Sequence, residues 1–322
     1  MVLERRIGRS GLTVSALGLG CWAIGGSNIV NGKLRGWGPV DDNESIRAIQ
    51  TALEFGVTSF DTADAYGAGR SERVLGQALA GRRDQVIIAT KFGKLFNEQT
   101  GERFDGVAAS PDAIRRACAD SLRRLKTDYI DLYQFHEGKY DLEQASAVRD
   151  TLEQLVTEGL IRYYGWSTDN PERAQLFAEG SHCVAIQQRM NIFEGSEQTL
   201  AICEAAGLAS INRSPLAQGL LTGKFTVESQ LPEEDLRHKW NHKTGVQAEQ
   251  LSRLQSLRDV LTSDGRTLAQ GAMGWIWAHS PITIPIPGFK TVAQVRENVG
   301  ALRYGPLSDE QMRQIAQTLG NS

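Results

Sequence analysis

Val57-Thr58-Ser59-Phe60-Asp61-Thr62-Ala63-Asp64-Ala65-Tyr66-Gly67 is a short apolar run that ends at an acid and continues into a small-residue turn carrying a tyrosine. The run reads as a buried strand, with Asp61 at its carboxyl end. The pattern recurs downstream. Val86-Ile87-Ile88-Ala89-Thr90 ends at Lys91, and Ile130-Asp131-Leu132-Tyr133-Gln134-Phe135 ends at His136. Asp, Tyr, Lys and His therefore stand at or just past the ends of three successive strands. An isolated phenol titrates near ~10, so acid-base work by Tyr66 at neutral pH requires a nearby cation to ease its ionisation. Lys91 is the candidate cation, and Asp61 the group that keeps it charged and in place.

Working outward, Val14 to Gly20 reads as a first long strand, preceded by a hairpin around Gly8-Arg9-Ser10-Gly11. Gly18-Leu19-Gly20-Cys21-Trp22-Ala23 fits G-x-G-x-x-A, but that dinucleotide fingerprint needs a helix to begin at once so that its N-terminus meets the pyrophosphate. A long glycine-rich loop follows instead, through Gly25-Gly26-Ser27-Asn28 to Trp37 and Pro39, with a helix only from about Asp42, capped by Asp41 or Asp42. The doubly wound dinucleotide fold is therefore disfavoured. From there strand and helix alternate. Helices are expected from Glu44 to Phe55, from a Ser71 cap to Ala80, from Ser110-Pro111 to Leu125, from Leu142 to Glu158 with Gly159 as the stop, from Pro171, and from Glu197 to Ala206. The strands between them end at Ser167, at Gln187-Gln188 and at Arg213-Ser214. After a long loop from Pro215 to about Gly245, helices run from Ala248 to Leu261 and from Thr267 to Ala278, and a last strand, Ile282 to Ile286, ends at Pro287-Gly288.

Counted from Val14 this gives eight buried strands, and the closed form of such an alternation is a (β/α)8 TIM barrel with an N-terminal β-hairpin and additional helices. No linker divides it, so residues 1–322 read as a single barrel domain. Barrel enzymes carry their chemistry at the carboxyl ends of the strands. Here those ends read Gly20-Cys21-Trp22, Asp61, Lys91, His136, Ser167, Gln187, Arg213 and Gly288. Singly, each has a structural reading: a loop cap, an edge lysine, a satisfied core histidine. Jointly, polar or glycine residues at matching strand ends point to catalysis. The segment from Pro215 to Gly245 is an oversized connection of the kind that covers a site.

Charged residues make up 23% and hydrophobic ones 41%, with a formal net charge of -3. This is the profile of a soluble globular protein with no bulk attraction to nucleic acid or to an anionic membrane. Cys21, Cys118, Cys183 and Cys203 are scattered, without metal-ligand spacing, and read as reduced thiols. Met1-Val2-Leu3-Glu4-Arg5-Arg6 runs into a strand pattern rather than an apolar leader, and no apolar run has membrane-spanning length; a cytoplasmic location is expected.

Asp61-Thr62-Ala63-Asp64-Ala65-Tyr66-Gly67, Ala89-Thr90-Lys91, Asp128 to His136, and Ile286-Pro287-Gly288 through Glu297-Asn298 resemble the aldo-keto reductases, with every motif in order from the N-terminal hairpin to about Leu302. The resemblance implies an (α/β)8 barrel that uses NADPH, or less often NADH, to reduce aldehydes and ketones without metal. It implies Tyr66 as general acid, Asp61 and Lys91 as its tuning pair, and His136 as the group orienting the carbonyl. It further places Ser167 and Gln187 on the nicotinamide carboxamide, Ser214, Pro215, Leu216, Gly219 and Lys224 along the pyrophosphate, Gly288, Lys290 and Gln294 about the adenosine 2′-phosphate, and Glu297 and Asn298 on the adenosine. Cys21 and Trp22 complete that set, and Trp22, Tyr66, Phe92 and His136 would face the substrate. Two positions depart from the pattern. Thr168 stands where an Asn usually follows the Ser, and keeps a hydroxyl able to make one bond. Arg213 stands where an aromatic residue often stacks on the nicotinamide; a guanidinium is planar too, but charged.

A small carbonyl compound is thus the expected partner, and a homo-oligomer is left open. Trp37 and Trp240 are candidates for the mouth, though they lie in loops whose course the sequence leaves open. One alternative is a cofactor-sensing regulatory subunit; relatives of that kind can lose the histidine, which this chain keeps as His136. Another is Schiff-base chemistry at Lys91, which requires a neutral amine that Asp61 works against. Borohydride added with a carbonyl substrate is accordingly expected to leave the mass of the protein unchanged; a trapped adduct at Lys91 would reverse the assignment.

Overall fold

The computed structural model describes residues 3–320; Met1 and Val2, part of the stretch read as lacking a leader, and Asn321 and Ser322 lie outside the described residues. β1 (Glu4–Arg6) and β2 (Thr13–Ser15) form an antiparallel hairpin. β3 (Leu19–Gly20) then begins the barrel. The single strand expected from Val14 to Gly20 is therefore two elements: Ser15 is tied to Thr58 through paired backbone-to-hydroxyl bonds of 2.9 and 3.0 Å, and the chain turns inward after it. The glycine-rich stretch expected to be a loop instead builds a second hairpin, β4 (Ser27–Val30) and β5 (Lys33–Gly36).

The alternation follows with α1 (Asp42–Glu54), β6 (Ser59–Asp61), α2 (Arg70–Ala78) and β7 (Ile87–Phe92). Asp41 caps α1 as expected, accepting from Asn43 N at 2.8 Å. Ser71 does not cap α2, which starts one residue earlier; its hydroxyl instead donates to Cys21 O at 2.7 Å and pairs with Thr62 Oγ1 at 2.8 Å, pinning the turn after Asp61. A third hairpin, β8 (Lys94–Phe96) and β9 (Arg103–Val107), occupies the stretch between β7 and Ser110. Then come α3 (Pro111–Leu125), β10 (Ile130–Phe135), α4 (Leu142–Thr157), β11 (Ile161–Ser167), α5 (Pro171–Ala178), β12 (Cys183–Arg189), α6 (Glu197–Ala205) and β13 (Ala209–Arg213). The chain closes with α7 (Val246–Leu261), α8 (Leu268–His279), β14 (Thr283–Pro285), α9 (Val292–Gly300) and α10 (Asp309–Leu319), the last packed on α7 and α8.

Eight parallel strands pair in the order β3, β6, β7, β10, β11, β12, β13, β14. The ring is completed by Gly18 N donating to Pro285 O and Gly20 N to Pro287 O, both at 3.0 Å, and by a parallel bridge between Gly20 and Gly288. Closure leaves no sheet edge to template aggregation. Alternation along each strand then sorts side chains into two layers. Outward residues such as Phe92, Tyr133, Phe135 and Trp166 are buried beneath the helices in the main apolar cluster, while a smaller cluster, with Leu220, Leu221, Leu254, Leu257 and Ile315, lies under the long loop after β13.

Gly20 sits where the first and last strands meet, and a Cβ there would lie 2.8 Å from Ile286 O, a backbone atom that cannot swing away. Gly20→Ala is expected to lower unfolding free energy by about 1–3 kcal/mol through overpacking at the seam, read by chemical denaturation; an unchanged transition midpoint would show that the seam yields freely.

Candidate active site

The carboxyl ends of β6, β7, β10 and β12 bring Asp61, Lys91, Gln134 and Gln187 into one buried cluster. Lys91, with its side chain fully buried, donates to Asp61 Oδ1, to Thr62 O at 2.7 Å and to the Tyr66 hydroxyl at 3.3 Å. Asp61 Oδ2 accepts from Gln187 Nε2 at 2.7 Å and Gln134 Nε2 at 3.0 Å. Both charges are thus saturated with partners, which is the condition for an ion pair to survive so far from water. Gln134 escaped the sequence reading, although the signal was present: it lies two residues before His136, on the inward face of β10 by strand alternation.

Tyr66 reaches this pair from the turn after β6, whose course is fixed by close backbone approach. Gly67 has φ 59, and a Cβ there would meet Gly25 O at 2.0 Å, so only glycine lets the turn fold against the first loop. Lys91 Nζ lies 4.9 Å from the Tyr66 ring centroid, His136 meets the ring edge-on at 5.7 Å, and Trp22 stacks on it at 5.8 Å. Trp37, from the loop after β5, meets Trp22 edge-on at 5.0 Å. Trp22, Trp37, Tyr66 and His136 therefore form an aromatic mouth over the buried cluster. Trp240 belongs elsewhere, packed against Phe225 under the long loop.

The electrostatics differ from expectation in one respect. Desolvation pushes the Tyr66 phenol above its ordinary range; Lys91 acts in the lowering direction but does not win, so the hydroxyl keeps its proton at neutral pH. Lys91 itself is held above its usual range because Asp61 and Tyr66 outweigh its desolvation. Desolvation and then the charges of Lys91, Lys94, Arg103 and Arg213 hold His136 well below the usual imidazole range, so it is neutral.

Two predicted contacts need correction. Phe92 does not line a substrate cavity: it points outward from β7, fully buried and stacked on Tyr133 at 4.6 Å, because alternation that turns Lys91 inward turns its neighbour out. Cys21 is buried, and its backbone is already committed, N–H to Asp61 O at 2.7 Å and C=O to Ser71, so it offers a cofactor no polar handle. The Leu216 side chain is buried in the smaller apolar cluster, which leaves the expectation for its backbone along the pyrophosphate as it was.

The other cofactor candidates fall along one side of the mouth. Ser167 ends β11; the Thr168 hydroxyl is engaged by Asn170 N at 3.2 Å. Arg213 ends β13 and pairs with Asp169. Beyond it the backbone turns through left-handed angles at Ser214, Ala217 and Gln218 on either side of Pro215, leading to Gly219 and Lys224. At Gly219 (φ 99) a Cβ would come within 3.2 Å of Lys224 Nζ and 3.4 Å of an Arg237 nitrogen, so glycine leaves a cradle open between two cations. Lys290, after β14, donates to Trp37 O at 2.8 Å, and its backbone N–H is held by Gln294 Oε1 at 2.7 Å. Desolvation, and then Arg237 and Lys290 with Asp235 opposing, hold the Lys224 ammonium below its usual range, which marks the three cations as neighbours. Arg237 was missed by the sequence reading; it is oriented by Asp235 at 2.7 and 2.8 Å and lies over Trp37 at 4.8 Å, inside a loop with no periodic signal. Glu297 and Asn298 lie on α9, with Asn298 Nδ2 donating to Gly288 O at 3.3 Å. A donor set of lysines, arginine and open backbone fits the phosphates of a dinucleotide. Among the described residues no group of three or more His, Cys, Asp and Glu side chains could hold a metal ion, and no helix is long and apolar enough to cross a membrane.

Comparison with known proteins places this geometry. The model of the Aldo/keto reductase family matches residues 16–319. The chain is 30% identical to the uncharacterized oxidoreductase YqkF of Bacillus subtilis, over 97% of this chain and 95% of that protein. Among solved structures it is similar to aldo-keto reductase AKR11C1 from Bacillus halodurans in its holo form, with TM-score 0.80, 32% identity and coverage of 99% of this chain and 96% of that one. An aldo/keto reductase from Klebsiella pneumoniae in complex with NADP matches with TM-score 0.72 and 27% identity over 98% of this chain and 95% of that one.

The ion pair makes its own energetic prediction. Lys91→Met leaves Asp61 buried without its cation and is expected to cost about 3–5 kcal/mol of stability, whereas adding Asp61→Leu to it is expected to recover part of the loss. Equal stability of the single and double variants in denaturant melts would show that the pair is not held as described.

Proposed function

The chain belongs to the aldo/keto reductase family, and from that premise we propose that it is an NADPH-dependent reductase of aldehydes or ketones in which Tyr66 is the general acid. The observation that carries this reading is the neutral, proton-bearing phenol of Tyr66, set 3.3 Å from a buried lysine and edge-on to a neutral histidine under an aromatic mouth.

When bound, the nicotinamide supplies a hydride to the carbonyl carbon. The chain's own residues handle the charge this leaves on oxygen. Tyr66 Oη delivers a proton to that oxygen, and Lys91, charged and aimed at the same hydroxyl, stabilises the phenolate left behind. Asp61 keeps Lys91 charged and fixed, and Gln134 and Gln187 hold Asp61. Neutral His136 orients the carbonyl by a hydrogen bond without competing as a proton donor, and Trp22 and Trp37 exclude water from the mouth. Lys224, Arg237 and Lys290 would carry the phosphates, with Lys290 as counter-charge to the 2′-phosphate, which favours NADPH over NADH. Ser167 would hold the carboxamide and Arg213 would stack flat in the aromatic residue's place.

With an electrophilic aromatic aldehyde and NADPH, Tyr66→Phe is expected to lose about 10²- to 10⁴-fold in kcat while still quenching NADPH fluorescence. The wild-type rate should show no inflection between about pH 6 and 7, where an ordinary histidine titrates. Binding without turnover in either protein would favour a cofactor-sensing role; equal turnover in both would remove Tyr66 from the mechanism.

A further inference from the structure

Four cations act on the imidazole of His136, and three of them are already spoken for. Lys91 is paired with Asp61, Lys94 with Glu137 at 2.5 Å, and Arg213 with Asp169. Arg103 is different. Among the described residues it makes no hydrogen bond and no ion pair, and its Nε is buried without a partner. It is only half-buried, so its guanidinium is reachable. Of the carboxylates in its own hairpin, Glu98 is taken by Arg73, Arg123 and Arg124, and neither Glu102 nor Asp105 pairs with Arg103. Its Nε is out of reach of solvent, but the two outer nitrogens are neither paired nor buried, and they are the ones a partner arriving from outside would meet.

The position of Arg103 says which partner. It pairs with Phe96 across the β8–β9 hairpin, which rises from the carboxyl end of β7 and is anchored at its base by Ala108 N donating to Gly93 O at 3.0 Å. On its far side the hairpin is joined to β4 through Ile29 N and Gly101 O at 2.9 Å, so it is part of the rim of the mouth. Lys224, Arg237 and Lys290 follow β13 and β14. In the closed ring β7 and β13 are opposite, with β10, β11 and β12 between them on one side and β6, β3 and β14 on the other. The hairpin that carries Arg103 is therefore rooted across the ring from the strands that lead to the phosphate cradle, and through Lys94 paired with Glu137, and His136 N donating to Phe92 O, its base lies beside His136.

We propose that Arg103 is a specificity residue that binds an oxyanion group, carboxylate or phosphate monoester, carried by the carbonyl substrate at a distance from its reacting carbon. This rests on the reductase reading above and deepens it by naming a substrate class. An Arg fork takes two oxygens of either group, and on a partly desolvated rim the contact strengthens binding more than it alters the chemical step.

The test compares matched substrates in the holoenzyme: 4-carboxybenzaldehyde against its methyl ester, and glyceraldehyde 3-phosphate against glyceraldehyde. Wild type is expected to favour the charged member of at least one pair by about ten-fold or more in kcat/KM, through KM; which pair responds distinguishes carboxylate from phosphate. Arg103→Gln should bring that ratio close to one, and Arg103→Lys should restore part of it, a rescue that a merely structural role of the hairpin would not give. A ratio near or below one in wild type for both pairs, or a ratio unchanged in Arg103→Gln, overturns the proposal. Binding is read separately by titrating the NADP-loaded protein with 4-carboxybenzyl alcohol and with its methyl ester. Preference for the acid that disappears in Arg103→Gln supports the proposal even if no aldehyde is turned over, the outcome that would instead count against the reductase reading; a parallel titration with glycerol 3-phosphate and glycerol reads the phosphate arm, and no preference for the anion in either titration overturns the proposal.

Discussion

The structure depends on one buried ion pair. Lys91 and Asp61 sit on adjacent strands inside the barrel, where an isolated ammonium or carboxylate would not stay charged. They stay charged because every remaining valence is met: Thr62 O and Tyr66 Oη on the lysine, Gln134 and Gln187 on the carboxylate. Those partners come from strands on different parts of the ring, so the site exists only when the ring is closed. The same requirement explains the glycines at the seam and in the turn, where the backbones approach too closely for a side chain.

Around this rigid base the mouth is assembled from three insertions. The β4–β5 hairpin touches β9 on one side through Ile29 and Glu102, and the long loop after β13 on the other through Gly36 and Asp235. The insertions thus form one continuous band that carries Trp37 at the aromatic mouth, Arg103 on one hairpin, and Lys224 and Arg237 on the long loop. Salt bridges from Lys33 and Arg35 to Glu233 lie at the outer surface, where such pairs contribute little. The hairpins of the band meet one another through a few backbone bonds, whereas the long loop is also held by its own apolar cluster and by the Asp235–Arg237 pair.

Electrostatics divides the work within the site. Desolvation keeps Tyr66 protonated and His136 neutral, while the Asp61 partnership keeps Lys91 charged. A protonated phenol, a neutral imidazole and a fixed cation thus coexist within a few ångströms. This separation of protonation states by environment, rather than by residue type alone, is what would let one cluster serve both proton transfer and charge stabilisation in the proposed reduction.

By itself the sequence determined the barrel and which side chains stand at the carboxyl ends of its strands, because both are written in local pattern. Apolar runs of strand length ending at Asp61, Lys91, His136, Ser167 and Arg213 specify buried parallel strands, and caps such as Asp41 and Ser110-Pro111 mark the helices between them. Phe92 was misplaced only because its neighbour's inward direction was not carried through to it. Tertiary structure alone decided what depends on contacts between distant segments. The hairpin at 27–36 is turned by Asn31-Gly32, both at left-handed φ (51 and 73), a local signal that the reading as a glycine-rich loop passed over, whereas the hairpin at 94–107 has a longer loop and a shifted register and is joined to its neighbour only in the folded chain. Arg237 reaches the phosphate cradle, and Arg103 stays without a carboxylate, through the placement of these insertions on a closed ring. Local pattern selects the strands, but only closure fixes which loop faces which across the mouth.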